Sequence, residues 1–258
     1  MSWNIEPVLL DLRFVQLHWY GLFFAGAFLV GLKLMQWIYR REGLVVAELD
    51  NLLLYIIGGT VVGARLAHCL FYDPQYYFQN PLEILMVWHG GLASHGGAVG
   101  VIVATFLYCR SEQRPKFLWL LDRIAIPAVL AGALIRIGNF FNSEILGKPT
   151  DGPLGVIFKR VDFVPRHPAQ LYEAFAYLAI FSVLLFVYLR KAPTGRLTGL
   201  YLLLVFAARF ALEFVKVPQA SYEGDFAIGV GQLLSVPFAL VGLVLVVRSR
   251  VARNRMTV

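Results

Sequence analysis

Two arginines stand inside apolar runs, where a charge is expensive. Arg136 opens RIGNFFNSE, with Asn139 one helical turn on, and Arg209 opens RFALEF, with Glu213 at i+4 on the same helical face. A guanidinium is a fixed fork of donors that matches phosphate oxygens. Two of them near one membrane depth suit a clamp on a phosphate. The Arg209–Glu213 spacing also suits a buried salt bridge that only orients helices, and that reading stays open beside the clamp.

The stretch WHGGLASHGG (88–97) places two His-Gly-Gly triplets in an apolar run. Glycine pairs permit close backbone approach, so the N–H groups of Gly96 and Gly97 are candidates to bind a phosphate or carboxylate. His89 falls near the interface. His95 lies deeper and has three readings: base, donor, or hydrogen-bonded structural residue. Ser94 and His95 are not a dyad, because neighbours on a helix point about 100° apart. RHPAQLYE (166–173) reads as a loop entering a span, with Pro168 in the first helical turn. Arg166 and His167 are candidates to meet an anionic headgroup, and Glu173 to pair with a buried base; an ordinary helix start reads the same. Arg65 needs a partner, and His68 is three residues on. Lys33 sits where it can snorkel. No metal motif of the H-E-x-x-H kind is present. Cys69 and Cys109 read as small buried apolar residues.

The elements that position these residues follow from composition. The chain has 258 residues, 59% hydrophobic and 15% charged, against about 25% charged in soluble domains. Mean hydropathy is +0.67. Seven apolar segments fall near 17–38, 51–71, 90–109, 124–141, 170–189, 198–216 and 228–247. Each is long enough to cross a hydrocarbon core about 30 Å thick, and each should be a helix, which satisfies its own backbone. The net charge of +7 lies between these runs, with no recognition helix or zinc finger, so orientation explains it and nucleic acid is not an expected partner. Arg40 and Arg41, the group Arg110, Arg114, Lys116 and Arg123, the group Arg190, Lys191 and Arg196, and the tail from Arg248 to Arg255 fall on one side, the cytoplasmic one. Asp73, Glu83, Asp162, Glu223 and Asp225 fall on the other. The predicted fold is all-α: one polytopic membrane bundle over 1–258, about seven transmembrane helices, N-terminus outside, C-terminus cytoplasmic. An outer loop near 142–169, carrying Lys148, Lys159, Arg160 and Arg166, is either a cap over an anion site or an ordinary translocated loop. Segment 81–88 is apolar but too short to span, which suits a re-entrant or interfacial helix. The first apolar run has no basic n-region before it and is read as a retained span.

Taken in order, HWYGL (18–22), GGLASHGG (90–97), RIGNFFNSEILG (136–147), RHPAQLYE (166–173), RFALEF (209–214) and GQLLSVPF (231–238) resemble the prolipoprotein diacylglyceryl transferases of bacteria over nearly the whole chain. The resemblance implies a multi-pass enzyme of the bacterial cytoplasmic (inner) membrane. Phosphatidylglycerol would donate its diacylglyceryl group to the lipobox cysteine of a prolipoprotein signal peptide, giving a thioether and glycerol phosphate without a cofactor. It carries functional positions onto Tyr20, His95, Arg136, Asn139, Glu144, Arg209 and Glu213. The roles that follow are Arg136 on the lipid phosphate, Arg209 on the leaving group, Glu213 orienting Arg209, Asn139 holding the headgroup and His95 as candidate base. Ser94 and Lys216 depart from the family pattern, which often has a bulky apolar residue and an arginine there. The alternative class is a membrane carrier of organic phosphates, which inverted repeats would favour; none is found. An intramembrane serine protease is weaker, because no separated serine–histidine pair stands out.

Overall fold

The computed structural model describes residues 1–13, 16–112, 114–217 and 229–255. Glu223 and Asp225, placed by charge on the outer side, lie outside the described residues. The chain runs β1 (Ser2–Trp3), β2 (Val8–Asp11), β3 (Gln16–His18), α1 (Trp19–Arg41), α2 (Glu48–Phe71), α3 (Pro74–Gln79), α4 (Ser94–Tyr108) and α5 (Phe117–Asn142). It continues through β4 (Val156–Phe158), β5 (Pro165–Arg166), α6 (Ala169–Leu189), α7 (Arg196–Leu212) and α8 (Val230–Arg255). Six of the helices, α1, α2, α5, α6, α7 and α8, are long and apolar enough to cross a membrane. The expected span at 90–109 is shorter than its apolar run. Residues 90–93 stay non-helical and α4 has 15 residues, about 22 Å of rise against a core of about 30 Å.

The strands correct the all-α reading on a small scale. β1 pairs parallel with β4, which pairs antiparallel with β5, while β2 and β3 form a separate antiparallel pair. Strands of this length carry little hydrophobic alternation, so no periodicity announces them.

The chain divides into two compact units. The first comprises 1–35 and 122–258, the second 36–121. In the first, Phe140 at the end of α5 packs with Val156 and Phe158 of β4, and Trp3 of β1 lies 4.3 Å from the Phe140 ring. Gly199 and Gly242 bring α7 and α8 together, and a Cβ at Gly199 would stand 2.9 Å from the Gly242 carbonyl. Asp122 of α5 is buried and caps a different helix. Its carboxylate accepts the N–H of Gly195 at 2.6 Å and the N–H and hydroxyl of Thr198 at 2.8 and 2.7 Å, at the start of α7. That satisfies donors the helix N-terminus leaves unpaired.

In the second unit, α2 and α4 meet through glycines. Gly59 and Gly63 face Gly96 and Gly100, a small-xxx-small pair on each helix. A Cβ at Gly63 would stand 2.8 Å from Gly100 Cα. Arg65 is buried and its partner is not His68. Its guanidinium donates to the carbonyls of Glu83, Ile84, Met86, Gly90 and Gly91 and stacks 5.0 Å over Tyr77. One fork of donors thus satisfies the irregular segment 81–91, where the predicted interfacial helix is two short 3-10 turns, Pro81–Leu85 and Val87–His89.

Candidate active site

In the first unit, α5 ends at Asn142 because the chain reverses there. The Ser143 N–H reaches the Phe140 carbonyl and the Glu144 N–H reaches the Asn139 carbonyl, the paired bonds of a Schellman stop, with Ser143 at φ +57°. This turn places Glu144 beside Asn139, one turn on from Arg136. The Asn139 amide accepts from Arg136 Nη1 at 3.2 Å and donates to Glu144 Oε2 at 3.2 Å, and Asn142 donates to Glu144 Oε1 at 3.0 Å. Gln170 of α6 donates to the Glu144 carbonyl.

Glu173, three residues past Gln170 on the same face, is fully buried. Its Oε2 lies 2.6 Å from Arg136 Nε and its Oε1 2.6 Å from the Lys216 ammonium. One carboxylate therefore holds two cations from two other parts of the chain. Lys216 is delivered by backbone pairing. Lys148 N–H reaches the Val215 carbonyl, Val217 N–H reaches Leu146, and on the opposite edge Gly147 and His167 pair. A Cβ at Gly147 would stand 2.6 Å from His167 Cβ, so glycine is what the close approach requires.

Arg209 on α7 is within hydrogen-bonding reach of the Tyr177 hydroxyl on α6, which also lies in the field of Arg136 and Glu173. The predicted Arg209–Glu213 pair is not formed among the described residues. α7 stops at Leu212 and the chain tightens into a 3-10 turn at Glu213–Val215. In that turn i and i+3 eclipse, and Glu213 Oε2 lies 3.8 Å from Lys216 instead. At the start of α8, Gly231 leaves room for the Glu213 carboxylate, which a Cβ there would meet at 2.8–2.9 Å.

The remaining predicted residues divide. Tyr20 at the start of α1 packs over Gly138 of α5 and lies in the field of Glu144 and Arg136, which brings it to the cluster. Arg166 and His167 have other partners. Arg166 chelates Asp162 through Nε and Nη2 and holds that carboxyl below the usual carboxylate range, while His167 Nδ1 lies 3.2 Å from the Tyr172 hydroxyl. Gly96, Gly97 and His95 belong to the second unit. Gly96 is buried against Gly63 and Ala67, and Gly97 against Thr60 and Ala64, so their helical backbone serves packing between α2 and α4. His95 is exposed in the first turn of α4, at an apolar groove of about 940 Å³ whose walls include Leu66, Leu70, Val99 and Val103.

Gln170 and Tyr177 are not among the residues that the sequence singles out. A polar pair at i, i+3 on an apolar helix, Gln170 with Glu173, was the available signal for the first. Tyr177 had none, because its partner is 32 residues away. Among the described residues no three His, Cys, Asp or Glu side chains gather as metal ligands.

Residues 7–248 match the family model described as prolipoprotein diacylglyceryl transferase. A Tolumonas auensis protein is 55% identical over 257 residues, covering 99% of this chain and 100% of its own length. A Chloroherpeton thalassium protein is 47% identical, covering 96% and 93%, and one from Porphyromonas gingivalis is 40% identical, covering 96% and 94%. All three are named phosphatidylglycerol–prolipoprotein diacylglyceryl transferase.

Proposed function

The chain belongs to the prolipoprotein diacylglyceryl transferase family, and from that premise we propose that it transfers the diacylglyceryl group of phosphatidylglycerol to a prolipoprotein. The acceptor is the lipobox cysteine thiol of the signal peptide. Its sulfur attacks the glyceryl carbon esterified to phosphate. The C–S bond forms, the C–O bond breaks, glycerol phosphate leaves with the electron pair, and the thiol proton passes to a base. The leaving monoester gains negative charge as the bond breaks, so preorganised cations accelerate the step. Arg136 binds the phosphate and Arg209 stabilises the leaving group. Asn139 and Glu144 hold the headgroup side, with Tyr20 beside them. Glu213 sets Lys216, not Arg209. A free thiol has a pKa of about 8.5, so a base assists it. His95 is the candidate, a role that rests on the family pattern.

On this reading the protein is one domain of the bacterial cytoplasmic membrane. The short α4 counts as a seventh membrane element, the N-terminus faces out and the C-terminus faces the cytoplasm. Segment 142–169 is the outer cap, and Arg166 braces it. The relatives' names give the carrier alternative no support.

The observation that carries the reading is the Arg136 guanidinium fixed by Asn139 and by a buried Glu173 shared with Lys216. The test is purified protein with phosphatidylglycerol and a lipobox peptide, read by peptide mass. A diacylglyceryl adduct on the cysteine is expected, and Arg136→Ala should abolish it. Intact, folded protein giving no adduct overturns the assignment. His95→Gln run beside it should lose turnover; near wild-type turnover removes His95 as the base.

A further inference from the structure

Three buried polar oxygens gather on the turn that carries Glu144. Asn142 Oδ1, Ser143 Oγ and Gln170 Oε1 have no hydrogen-bond partner among the described residues. Ser143 is 8% exposed and Gln170 is fully buried. The groups between them are occupied. The Glu144 carboxylate takes the amides of Asn139 and Asn142, and its carbonyl takes the Gln170 amide. Buried oxygens of this kind destabilise a fold unless a donor reaches them.

Ser143 adds an independent observation. It sits at the left-handed position of the α5 stop, φ +57°, where glycine is the residue without strain. Serine adds one thing that glycine lacks there, a hydroxyl, and that hydroxyl is one of the three without a partner. The backbone preference and the residue disagree, and the disagreement points to a ligand that uses the oxygen.

What pairs these atoms must bring donors. The turn is linked to the Arg136 guanidinium through Asn139 by two hydrogen bonds of 3.2 Å each. That is the reach of a short headgroup whose phosphate rests on Arg136. A glycerol headgroup ends in two adjacent hydroxyls, which are neutral donors. We propose that Ser143, with Gln170 and Asn142, reads the terminal hydroxyls of the phosphatidylglycerol headgroup and makes this turn the specificity-determining side of the site. The inference rests on the transferase reading above.

The experiment compares wild type with Ser143→Gly, purified in detergent, on three donors with the same lipobox peptide. The donors are phosphatidylglycerol, phosphatidylpropanol (same phosphodiester, neither hydroxyl) and phosphatidylethanolamine. Thermal unfolding is read alongside. Wild type should favour phosphatidylglycerol over phosphatidylpropanol by about 10-fold or more in kcat/KM, because an analogue without the hydroxyls leaves buried oxygens unpaired. Ser143→Gly should keep or raise Tm, since glycine suits the backbone. It should use phosphatidylpropanol as wild type does and lose most of the preference. An unchanged preference in Ser143→Gly overturns the proposal, and a lowered Tm with that preference intact assigns the hydroxyl to the fold alone. Phosphatidylethanolamine used as well as phosphatidylglycerol overturns the hydroxyl reading. If wild type uses none of the three lipids, the transferase reading fails, and this inference with it.

Discussion

Glu173 is the residue on which the charges of the first unit balance. It offers one oxygen to Arg136 and the other to Lys216. This geometry suits a lysine at position 216. With one carboxylate oxygen already engaged, the second partner makes a single contact, which a point charge supplies as well as a fork. Breaking a buried pair from one side leaves an uncompensated charge and destabilises by about 3–5 kcal/mol. Glu173→Gln should therefore lower the thermal unfolding temperature in detergent markedly. Adding Lys216→Met to it should recover part of the loss, because it removes one of the two stranded cations. A double variant no more stable than the single one would mean that the pairing is not the cause.

At the scale of elements, the glycines of α2 and α4 do different work from neighbouring glycines. Gly63 lies in the contact, and a Cβ there would stand 2.8 Å from Gly100 Cα, backbone that a rotamer change does not move. Gly58 is five residues earlier on α2 and has open space around it. Gly63→Ala should cost about 1–3 kcal/mol through overpacking, while Gly58→Ala should be neutral or slightly stabilising through helix propensity. Thermal unfolding of the two variants checks this, and equal behaviour would contradict the glycine contact. The same unit shows how one side chain replaces secondary structure. Segment 81–91 has few regular backbone bonds, and the Arg65 fork satisfies five of its carbonyls.

For the whole molecule, the arrangement of charge makes a statement about topology. Basic clusters close α1 and α8, follow α6 and separate α4 from α5, and under the proposed topology the positive-inside rule puts them on the cytoplasmic side. That proposal puts the N-terminus outside. Single cysteines placed at Ser2 and Thr257 in a chain with Cys69 and Cys109 replaced should react with a membrane-impermeant thiol reagent from opposite sides. Labelling of both from one side would mean that α4, about 22 Å of helix, does not complete a crossing.

The membrane character, the helices and most of their limits were legible from the sequence alone, because a bilayer demands about 20 apolar residues and internal backbone pairing, and both are local properties. Arg136, Asn139 and Arg209 were legible for a related reason: a polar group in an apolar run is visible without knowing its neighbours. What only the tertiary structure decided was the pairing. Glu213 meets Lys216 because the last turn of α7 tightens, Arg209 meets Tyr177 from another helix, and Arg65 meets carbonyls that carry no side-chain signature. Glycines 96 and 97 read from the sequence as candidate anion-binding backbone, and the structure packs both against α2; the sequence does not separate the two uses, since either requires the missing Cβ. The short strands beside Trp3 and Phe158 were invisible, because pairing over two or three residues is decided by the partner strand and not by local pattern.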